Sequence, residues 1–485
     1  MGIVFKQSFK NLITTYFGFG IGAVNTLFLF TYFLKQEYYG LISFLLSAAN
    51  LLWPFMAFGV HSTLVKFFTF YKTREEKDKL LNLVLFLPLG ISLFLGLIGL
   101  ASYDLLLGYF AKNNDLVQPY VWLIFVIAAA TAYFEVFFAW SKIYYKSVLG
   151  NFMKEVFHRF CITILLIAYY YSWLDVEVLI YGVASVFVFR ALVMAVYAFS
   201  LHAPVINFRF PNNLVTVLKY TSLILIAASV AMALLDLDKV MIEYYLPIEN
   251  VAIYGIAVYI ATVISVPQKA MNQITHPMTA DMLNSKDKKG LESLYKKSSV
   301  NLLAVSGIIF ILIITNVNQL YEMIPDQYKL SMLVILLISL VKLYDNILGN
   351  NNSILFNSDF YRLVLGVGVF LVVLAFVLNL IFIPLLGING AAVATFLAFF
   401  TYNTSKIYLV YKKFGIHPFS MKTALILGLI ILFCLGFYFW EFSFHPILGI
   451  ALKSFIILIL FLFLAYKLKF SEDINQLFSR YLRLK

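Results

Sequence analysis

Residues 33–68 read FLKQEYYGLISFLLSAANLLWPFMAFGVHSTLVKFF, and this stretch decides the fold class. Its apolar run, from about 41 to 65, is long enough to cross a bilayer as a helix, because a span needs roughly 20 such residues. Lys66 opens the basic segment KFFTFYKTREEKDK that follows the run. An apolar run followed by basic residues is typical of a membrane helix that ends in the cytoplasm.

The composition extends this interpretation to the whole chain. Of the 485 residues, 62% are hydrophobic and 12% are charged, the latter about half the share in a soluble domain. The mean hydropathy is +0.90. The net charge of +12 is expected from lysines and arginines in cytoplasmic loops, so nucleic acid is not an expected partner. Cys161 and Cys434 lie within apolar runs, which indicates neither a disulfide nor a metal site.

The same pattern of apolar runs predicts an all-α integral membrane protein with about fourteen transmembrane helices. The runs lie at about 11–33, 41–65, 80–101, 117–139, 155–172, 178–199, 219–244, 251–273, 298–317, 329–349, 361–383, 390–410, 421–440 and 446–467.

Basic residues set the predicted orientation. Most lysines and arginines fall in loops on one side, and an excess of this kind marks the cytoplasmic side. Both termini are therefore expected in the cytoplasm, including a basic tail that ends FSRYLRLK. The lysines assigned to the outer side are few: Lys35, Lys112, Lys239 and Lys329.

An internal repeat predicts the domain organisation. Tyr-Gly ends at Gly40 and again at Gly255, and each copy is followed by a span that contains a proline, Pro54 or Pro267. Six spans per copy give both copies the same orientation, as in transporters with parallel repeats. The expected organisation is two six-helix bundles and a final helix pair with the basic tail, at 1–205, 206–415 and 416–485.

Three stretches carry a family resemblance. Residues 33–68 have Tyr-Gly, a span, and a glycine before a basic segment. The second stretch, LLDLDKVMIEYYLPIENVAIYGIAVYIATVISVPQKAMNQITHPMTADM at 234–282, adds a charged cluster and Tyr-Gly. The third, LNLIFIPLLGINGAAVATFLAF at 378–399, has Asn, Ile-Pro and a glycine hairpin. Together they resemble the polysaccharide flippase branch of the multidrug/oligosaccharidyl-lipid/polysaccharide (MOP) exporter superfamily.

The resemblance implies a function. It implies export of undecaprenyl-diphosphate-linked oligosaccharide, an O-antigen or capsule repeat unit, as in O-antigen flippases of the Wzx type for lipopolysaccharide. It also implies alternating access with a V-shaped cavity between the two bundles, in a bacterial plasma membrane. The implied partners are the lipid-linked oligosaccharide, membrane lipids, a polysaccharide polymerase and glycosyltransferases. Lipid II flippases of the superfamily have arginines in the first two spans. Here the first span has no charge and the second offers only His61, so a peptidoglycan role is not expected.

Basic residues within or near spans are the candidate substrate-binding groups: Arg190, Lys342, Lys239 and Arg159. An anionic head-group needs a cationic passage, because an isolated charge in hydrocarbon costs several kcal/mol or more. Guanidinium groups suit a diphosphate because they donate two parallel hydrogen bonds. The alternative for each residue is a structural ion pair. Glu155 precedes Arg159 by four residues, which favours such a pair, and Lys453 is expected to snorkel outward.

Acidic residues are the candidate ion-coupling groups: Asp236, Asp238, Glu243, Glu135 and Asp345. Asp236 and Glu243 share a helix face with Lys239, which fits either a cation or proton site or an ion-pair cluster at the outer end of the helix. Asp345 follows Lys342 by three residues, and the two could neutralise each other. No cofactor or metal is expected, and coupling to H⁺, to Na⁺ or to the membrane potential remains open.

Other functions are less favoured by the sequence. HExxH, GxSxG and Walker motifs are absent, so neither those hydrolytic enzymes nor an ATP-driven pump is expected. A membrane glycosyltransferase or sugar polymerase needs catalytic groups in sizeable outer loops, and the longest one here, SYDLLLGYFAKNNDLVQ, has no convincing acid pair. An ion-coupled exporter of small drugs or metabolites on the same fold is the main alternative, and a helical scaffold is the residual one.

Overall fold

The computed structural model describes residues 3–110, 114–206, 208–329, 332–358 and 360–470. Throughout these ranges the chain is helical and contains no β-strand, so the predicted all-α class is confirmed. The predicted tail at 471–485 and Lys112 lie outside the described residues.

The chain forms two compact units, one that ends at Gly255 and one that begins at Ile256. The predicted boundaries at 205 and 415 stay a prediction. The helices of the first unit are α1 (Ile3–Val24), α2 (Phe30–Phe33), α3 (Gln36–Ala57), α4 (Val60–Phe67), α5 (Arg74–Ala101), α6 (Tyr103–Phe110), α7 (Val121–Ile143), α8 (Ser147–Phe152), α9 (His158–Tyr170), α10 (Val176–Leu201) and α11 (Leu214–Tyr245).

Helix α12 (Glu249–Thr262) crosses the division between the units. The helices of the second unit are α13 (Val266–Asn284), α14 (Lys288–Glu322), α15 (Met332–Ile347), α16 (Asn351–Phe356), α17 (Tyr361–Leu386), α18 (Ile388–Phe414), α19 (Met421–Tyr438) and α20 (Pro446–Lys467).

Eleven helical segments in the described part of the chain are long and apolar enough to cross a membrane. They match eleven of the predicted spans, so a multi-span membrane protein is confirmed. The other predicted spans also coincide with helices, namely α9, α15 and α18, and the count of fourteen remains a prediction.

Glycine ends or begins helices at two places where its backbone freedom is needed. Helix α3 continues through Pro54 and stops at Phe58 and Gly59, whose φ angles are 47° and 72°. Gly387, between α17 and α18, has φ 59° and ψ −138°, a region open almost only to glycine. The predicted hairpin at Gly-Ile-Asn-Gly is therefore present, and α17 and α18 pack against each other along it.

Two π-helical turns interrupt predicted spans in the first unit, at Asn25–Leu29 and Met153–Phe157. Turns of this type are rare and often lie at functional sites. Helix α9, which follows the second turn, contacts the first: the Asn25 side-chain amide donates a 2.8 Å hydrogen bond to the Arg159 carbonyl, and the Thr163 hydroxyl donates one of 2.7 Å to Asn25 Oδ1. These contacts fix the first turns of α9 against the first π-helical turn.

Gly40 allows α3 to pack closely against the loop before α12. A Cβ atom at this position would overlap the Ile248 carbonyl group. We expect Gly40→Ala to destabilise the protein by about 1–3 kcal/mol, the usual cost of forcing a shift in a well-packed region, measured as a lower midpoint of thermal unfolding in detergent.

Gly255 provides the matched control for Gly40. It follows a tyrosine in the same way, but a Cβ there would meet no atom within 4 Å. Gly255→Ala should leave the midpoint unchanged. Equal midpoints for the two variants would contradict the packing assigned to Gly40.

Candidate functional site

Arg190 lies near the middle of α10 and is buried, at 5% exposure. Its guanidinium carbon lies 4.2 Å from the ring centre of Phe134 and 4.8 Å from that of Phe187. Ring faces carry partial negative charge, so both contacts stabilise the cation. Glu135 and Glu155 act on it electrostatically, but each forms its ion pair with another residue. Within the described ranges Arg190 Nε has no hydrogen-bond partner.

Glu135 on α7 is paired across a helical hairpin. Its carboxylate oxygen lies 2.6 Å from the ammonium group of Lys154, which belongs to the second π-helical turn. The side chain of Glu135 is 12% exposed and that of Lys154 is 43% exposed. Charges in this setting are stabilised mainly by each other, because little water reaches the carboxylate. Glu135, a candidate ion-coupling residue, is therefore held in an ion pair in this structure.

The predicted pairing of Glu155 with Arg159 is present. The guanidinium Nη1 lies 3.7 Å from the carboxylate and donates a 3.1 Å hydrogen bond to the Glu155 carbonyl. The same guanidinium lies over the ring of Phe19, at 5.3 Å. A Cβ at Gly18 would overlap the Glu155 carbonyl, so α1 approaches the π-helical turn closely and holds Arg159 in place.

Two histidines and a further lysine complete the surroundings. His158 is half-buried beside Phe187, with 5.9 Å between the ring centres. Both His61 and Lys142 interact electrostatically with Glu135. Neither histidine has a hydrogen-bond partner on Nδ1 in the part of the chain that the structure describes.

We call this group of side chains the basic cluster. It consists of Arg190, Arg159, Lys154, Lys142, Glu135, Glu155, His61 and His158. Basic side chains outnumber acidic ones four to two, so the cluster keeps a positive charge after its two ion pairs are counted. Lys142 is exposed, so the buried part of this excess is the Arg190 guanidinium. A buried charge is costly unless an anion or water balances it. The cluster is therefore suited to an anionic ligand.

The acidic residues predicted on α11 have separate partners. Asp236 is buried, pairs with Lys239 at 2.9 Å, and accepts a 3.1 Å hydrogen bond from the Asn50 amide. Asp238 accepts a 2.7 Å hydrogen bond from the Tyr254 hydroxyl. The helix face that Asp236, Lys239 and Glu243 were expected to share therefore holds one ion pair, between Asp236 and Lys239. Lys239 thus follows the alternative of a structural ion pair.

Glu243, the third acidic residue of this helix, is 1% exposed. The amide of Asn114 donates to its Oε1 at 3.3 Å and to its carbonyl at 2.9 Å, while Asn114 Oδ1 accepts from the Ile248 amide at 2.8 Å. Glu243 Oε2 has no hydrogen-bond partner among the residues described. Asn114 therefore fastens the segment before α7 to both ends of the loop between α11 and α12.

Removing the hydrogen bonds of the Asn114 side chain should destabilise the protein. Asn114→Ala should lower stability by about 1–3 kcal/mol, because buried backbone and carboxyl groups lose their partner. The measurement is the unfolding midpoint in detergent. Asn250→Ala is the control, since the Asn250 side chain, in the first turn of α12, makes one exposed hydrogen bond to the nearby Pro247 carbonyl. A midpoint for Asn114→Ala equal to that of the control would contradict the assigned role.

The candidate residues of the second unit, Lys342 and Asp345, have different contacts. Asp345 pairs with Lys406 of α18, with 3.5 Å between the charged groups, and Lys406 is 1% exposed. Lys406 also donates to Asn352 Oδ1 at 3.1 Å. Lys342 lies 5.8 Å from the ring centre of Phe399.

The prediction that Lys453 snorkels outward is wrong. Its side chain is 0% exposed, and its ammonium group donates a 2.6 Å hydrogen bond to the Thr315 carbonyl of α14. The residue lies in the second turn of α20, on the face that packs against α14, so its side chain has a nearer polar partner than the membrane surface.

Sequence reasoning missed several members of these groups. Lys154 and Lys406 were missed because their partners lie 19 and 61 residues away along the chain. Lys142 was missed although Glu135 precedes it by seven residues on the same helix. The run Asn350–Ser353, four polar residues beside a span, was a signal that could have been followed. Within the described ranges, groups of three or more histidine, cysteine, aspartate or glutamate side chains placed to hold a metal ion are absent.

Comparison with known proteins identifies the fold. No family model and no curated protein sequence matches the chain. Among solved structures, the lipid II flippase MurJ in an inward closed conformation is similar over 94% of this chain and 98% of its own, with a TM-score of 0.70 and 14% identity.

Drug exporters are similar as well. An inward-facing multidrug resistance MATE family transporter of the MOP superfamily matches 84% of this chain and 94% of its own, with a TM-score of 0.58 and 14% identity. A mutant of the Vibrio cholerae MATE transporter VcmN matches 85% and 96%, with a TM-score of 0.54 and 13% identity. The chain therefore has the fold of MOP superfamily transporters, as the three sequence stretches led us to expect.

Proposed function

We propose that this protein flips an undecaprenyl-diphosphate-linked oligosaccharide, an O-antigen or capsule repeat unit, from the cytoplasmic to the outer leaflet of a bacterial plasma membrane. The fold supports a transporter, since its neighbours are a lipid flippase and multidrug exporters. A MATE neighbour is similar in both inward-facing and outward-facing conformations, which supports alternating access. Membrane lipids, a polysaccharide polymerase and glycosyltransferases are the proposed partners.

The observation that carries the proposal is the basic cluster. Arg190 is buried in α10 beside two aromatic rings, and among the described residues it has no ion pair and its Nε has no hydrogen-bond partner. A diphosphate can accept two parallel hydrogen bonds from one guanidinium. Lys154 and Arg159 lie nearer the predicted cytoplasmic ends of their helices and would meet the anionic head first. The polyprenyl tail needs no such site because it can remain in lipid.

Energy coupling is proposed at an acidic residue. Asp236, Asp238, Glu135 and Asp345 each have a basic or hydroxyl partner. Glu243 differs, because its only hydrogen-bond donor is the Asn114 amide and one carboxyl oxygen has no partner in the described structure. We propose Glu243 as the residue that exchanges a proton during the cycle, with Na⁺ or the membrane potential as alternatives.

An ion-coupled exporter of small drugs or metabolites is the second candidate, because the MATE transporters share the fold. The basic cluster argues against it for cationic drugs, since like charges repel at close range.

Transport by the purified chain in vesicles separates the two candidates. One set of vesicles receives a fluorescent polyprenyl-diphosphate oligosaccharide, and transfer to the other leaflet is followed by the access of a sugar-specific lectin. A second set is tested for uptake of a small fluorescent cation. The proposal expects lectin access that depends on the protein and no cation uptake, and the opposite pattern would replace it with the exporter.

A further inference from the structure

A pocket lies wholly within the second unit, between α13 and α16. Its volume is about 390 Å³, within the range of small-molecule sites. The predicted orientation places this region at the cytoplasmic side, since α13 continues beyond the eighth span. The lining residues are mostly polar, with one aromatic ring: Lys269, Asn272, His276, Pro277, Asn352, Ser353 and Phe356.

The floor of the pocket is held rigidly by buried amides. Asn352 Oδ1 accepts a hydrogen bond from the buried ammonium group of Lys406, at 3.1 Å. The neighbouring Asn350 amide donates to the Thr279 hydroxyl at 2.8 Å, and Asn350 Oδ1 accepts from Ser298 at 3.2 Å. These bonds join α13, α14, α16 and α18, so the pocket is formed before any ligand arrives, which reduces the entropy lost on binding.

One face of α13 supplies the opposite wall. Lys269, Asn272 and His276 follow one another at three and four residues, which places them on the same side of the helix. His276 Nδ1 lies 3.3 Å from the Asn357 amide nitrogen, which orients the imidazole ring.

The side chains match a sugar. Amides both donate and accept hydrogen bonds, as sugar hydroxyl groups do. The ring of Phe356 is 47% exposed and offers an apolar face to the C–H groups of a pyranose. A lysine and a histidine beside these groups favour a sugar that carries a negative charge.

We propose that this pocket binds, at the cytoplasmic face, a sugar of the lipid-linked cargo that bears phosphate or another anionic group. Asn272 and Asn352 bond its hydroxyl groups, and Phe356 covers one face of its ring. The inference rests on the proposed function, because it assigns to that function a site that selects which sugar is carried.

The test measures binding of N-acetylglucosamine 1-phosphate to the full chain in nanodiscs. Asn272→Ala and Phe356→Ala should each weaken binding about tenfold, as expected for the loss of one buried polar or stacking contact. Asn284→Ala and Phe370→Ala are the matched controls, since both side chains are exposed elsewhere in the same unit, and they should bind as the unchanged chain does. Unfolding midpoints confirm that each variant is folded.

Several results would overturn the proposal. One is the absence of binding by the unchanged chain, another is equal binding by pocket and control variants, and a third is equally tight binding of inorganic phosphate, which would reveal a simple anion site. The vesicle assay tests the flippase function and the sugar pocket separately. Sugar-phosphate binding without flipping would remove the flippase function alone, whereas flipping that is indifferent to the pocket variants would remove the pocket alone.

Discussion

Replacing Arg190 with alanine is expected to lower the rate of sugar-lipid flipping by about tenfold or more. A charge-assisted hydrogen bond contributes about 1.5–3 kcal/mol, and each 1.4 kcal/mol corresponds to a factor of ten. Arg190 makes no ion pair in the described structure, so no salt bridge has to be broken before it meets a phosphate. The lectin-access assay in vesicles measures the rate.

Two further variants separate charge from packing. Arg190 lies against Phe134 and Phe187, so Arg190→Met keeps much of the apolar contact and should be as slow as the alanine variant. Arg190→Lys keeps the charge but loses the planar guanidinium, so its flipping rate should lie between that of the unchanged chain and that of Arg190→Met. Arg209→Ala removes an exposed guanidinium, 71% accessible, and should leave the rate unchanged. Full activity of Arg190→Met would remove Arg190 from the site.

The second large effect is expected on stability, from Asp345→Asn. The change leaves the ammonium group of Lys406 at 1% exposure without its carboxylate. A buried charge that loses its partner destabilises a protein by about 3–5 kcal/mol. We expect about 2 kcal/mol or more here, because the side chain of Asp345 is itself 26% exposed and water offsets part of the loss. The midpoint of thermal unfolding in detergent measures this loss of stability.

A double-mutant cycle provides the control. Lys406→Met removes the buried cation and leaves a partly hydrated carboxylate, so it should cost less than Asp345→Asn. The two changes together should restore most of the lost stability, because an apolar side chain can replace a buried ion pair at little cost. Additive losses in the double variant would show that the two residues do not interact.

The sequence predicted the helices well, because apolar runs report burial in lipid directly. It did not predict the π-helical turns at Asn25–Leu29 and Met153–Phe157, because neither sequence differs in an evident way from that of an ordinary helical turn. Those turns depend on contacts between chain segments more than 100 residues apart, such as the Asn25 amide on the Arg159 carbonyl. Helix α14 is also longer than its predicted span, because its first turns are polar and lie outside the window of an apolar run.

The contacts of the candidate site were predictable only between residues that are close in sequence. Glu155 and Arg159 are four residues apart, and the helix itself brings them together. The partners of Glu135 and Asp345 are 19 and 61 residues away, and their pairing depends on how helices pack. The sequence placed Arg190 within a span but could not show that aromatic rings, rather than a carboxylate, surround its guanidinium.

The most direct measurement compares two cargoes that carry the same oligosaccharide and differ in the charge of the link to the polyprenyl tail. An oligosaccharide on a polyprenyl diphosphate and the same oligosaccharide on an uncharged polyprenyl ether are incorporated into vesicles with the purified chain, and their transfer rates are measured. If the positive side chains around α10 attract the phosphates, the diphosphate cargo crosses much faster, and Arg190→Met removes most of that difference. Equal rates for both cargoes would show that the cluster does not act on the cargo's charge.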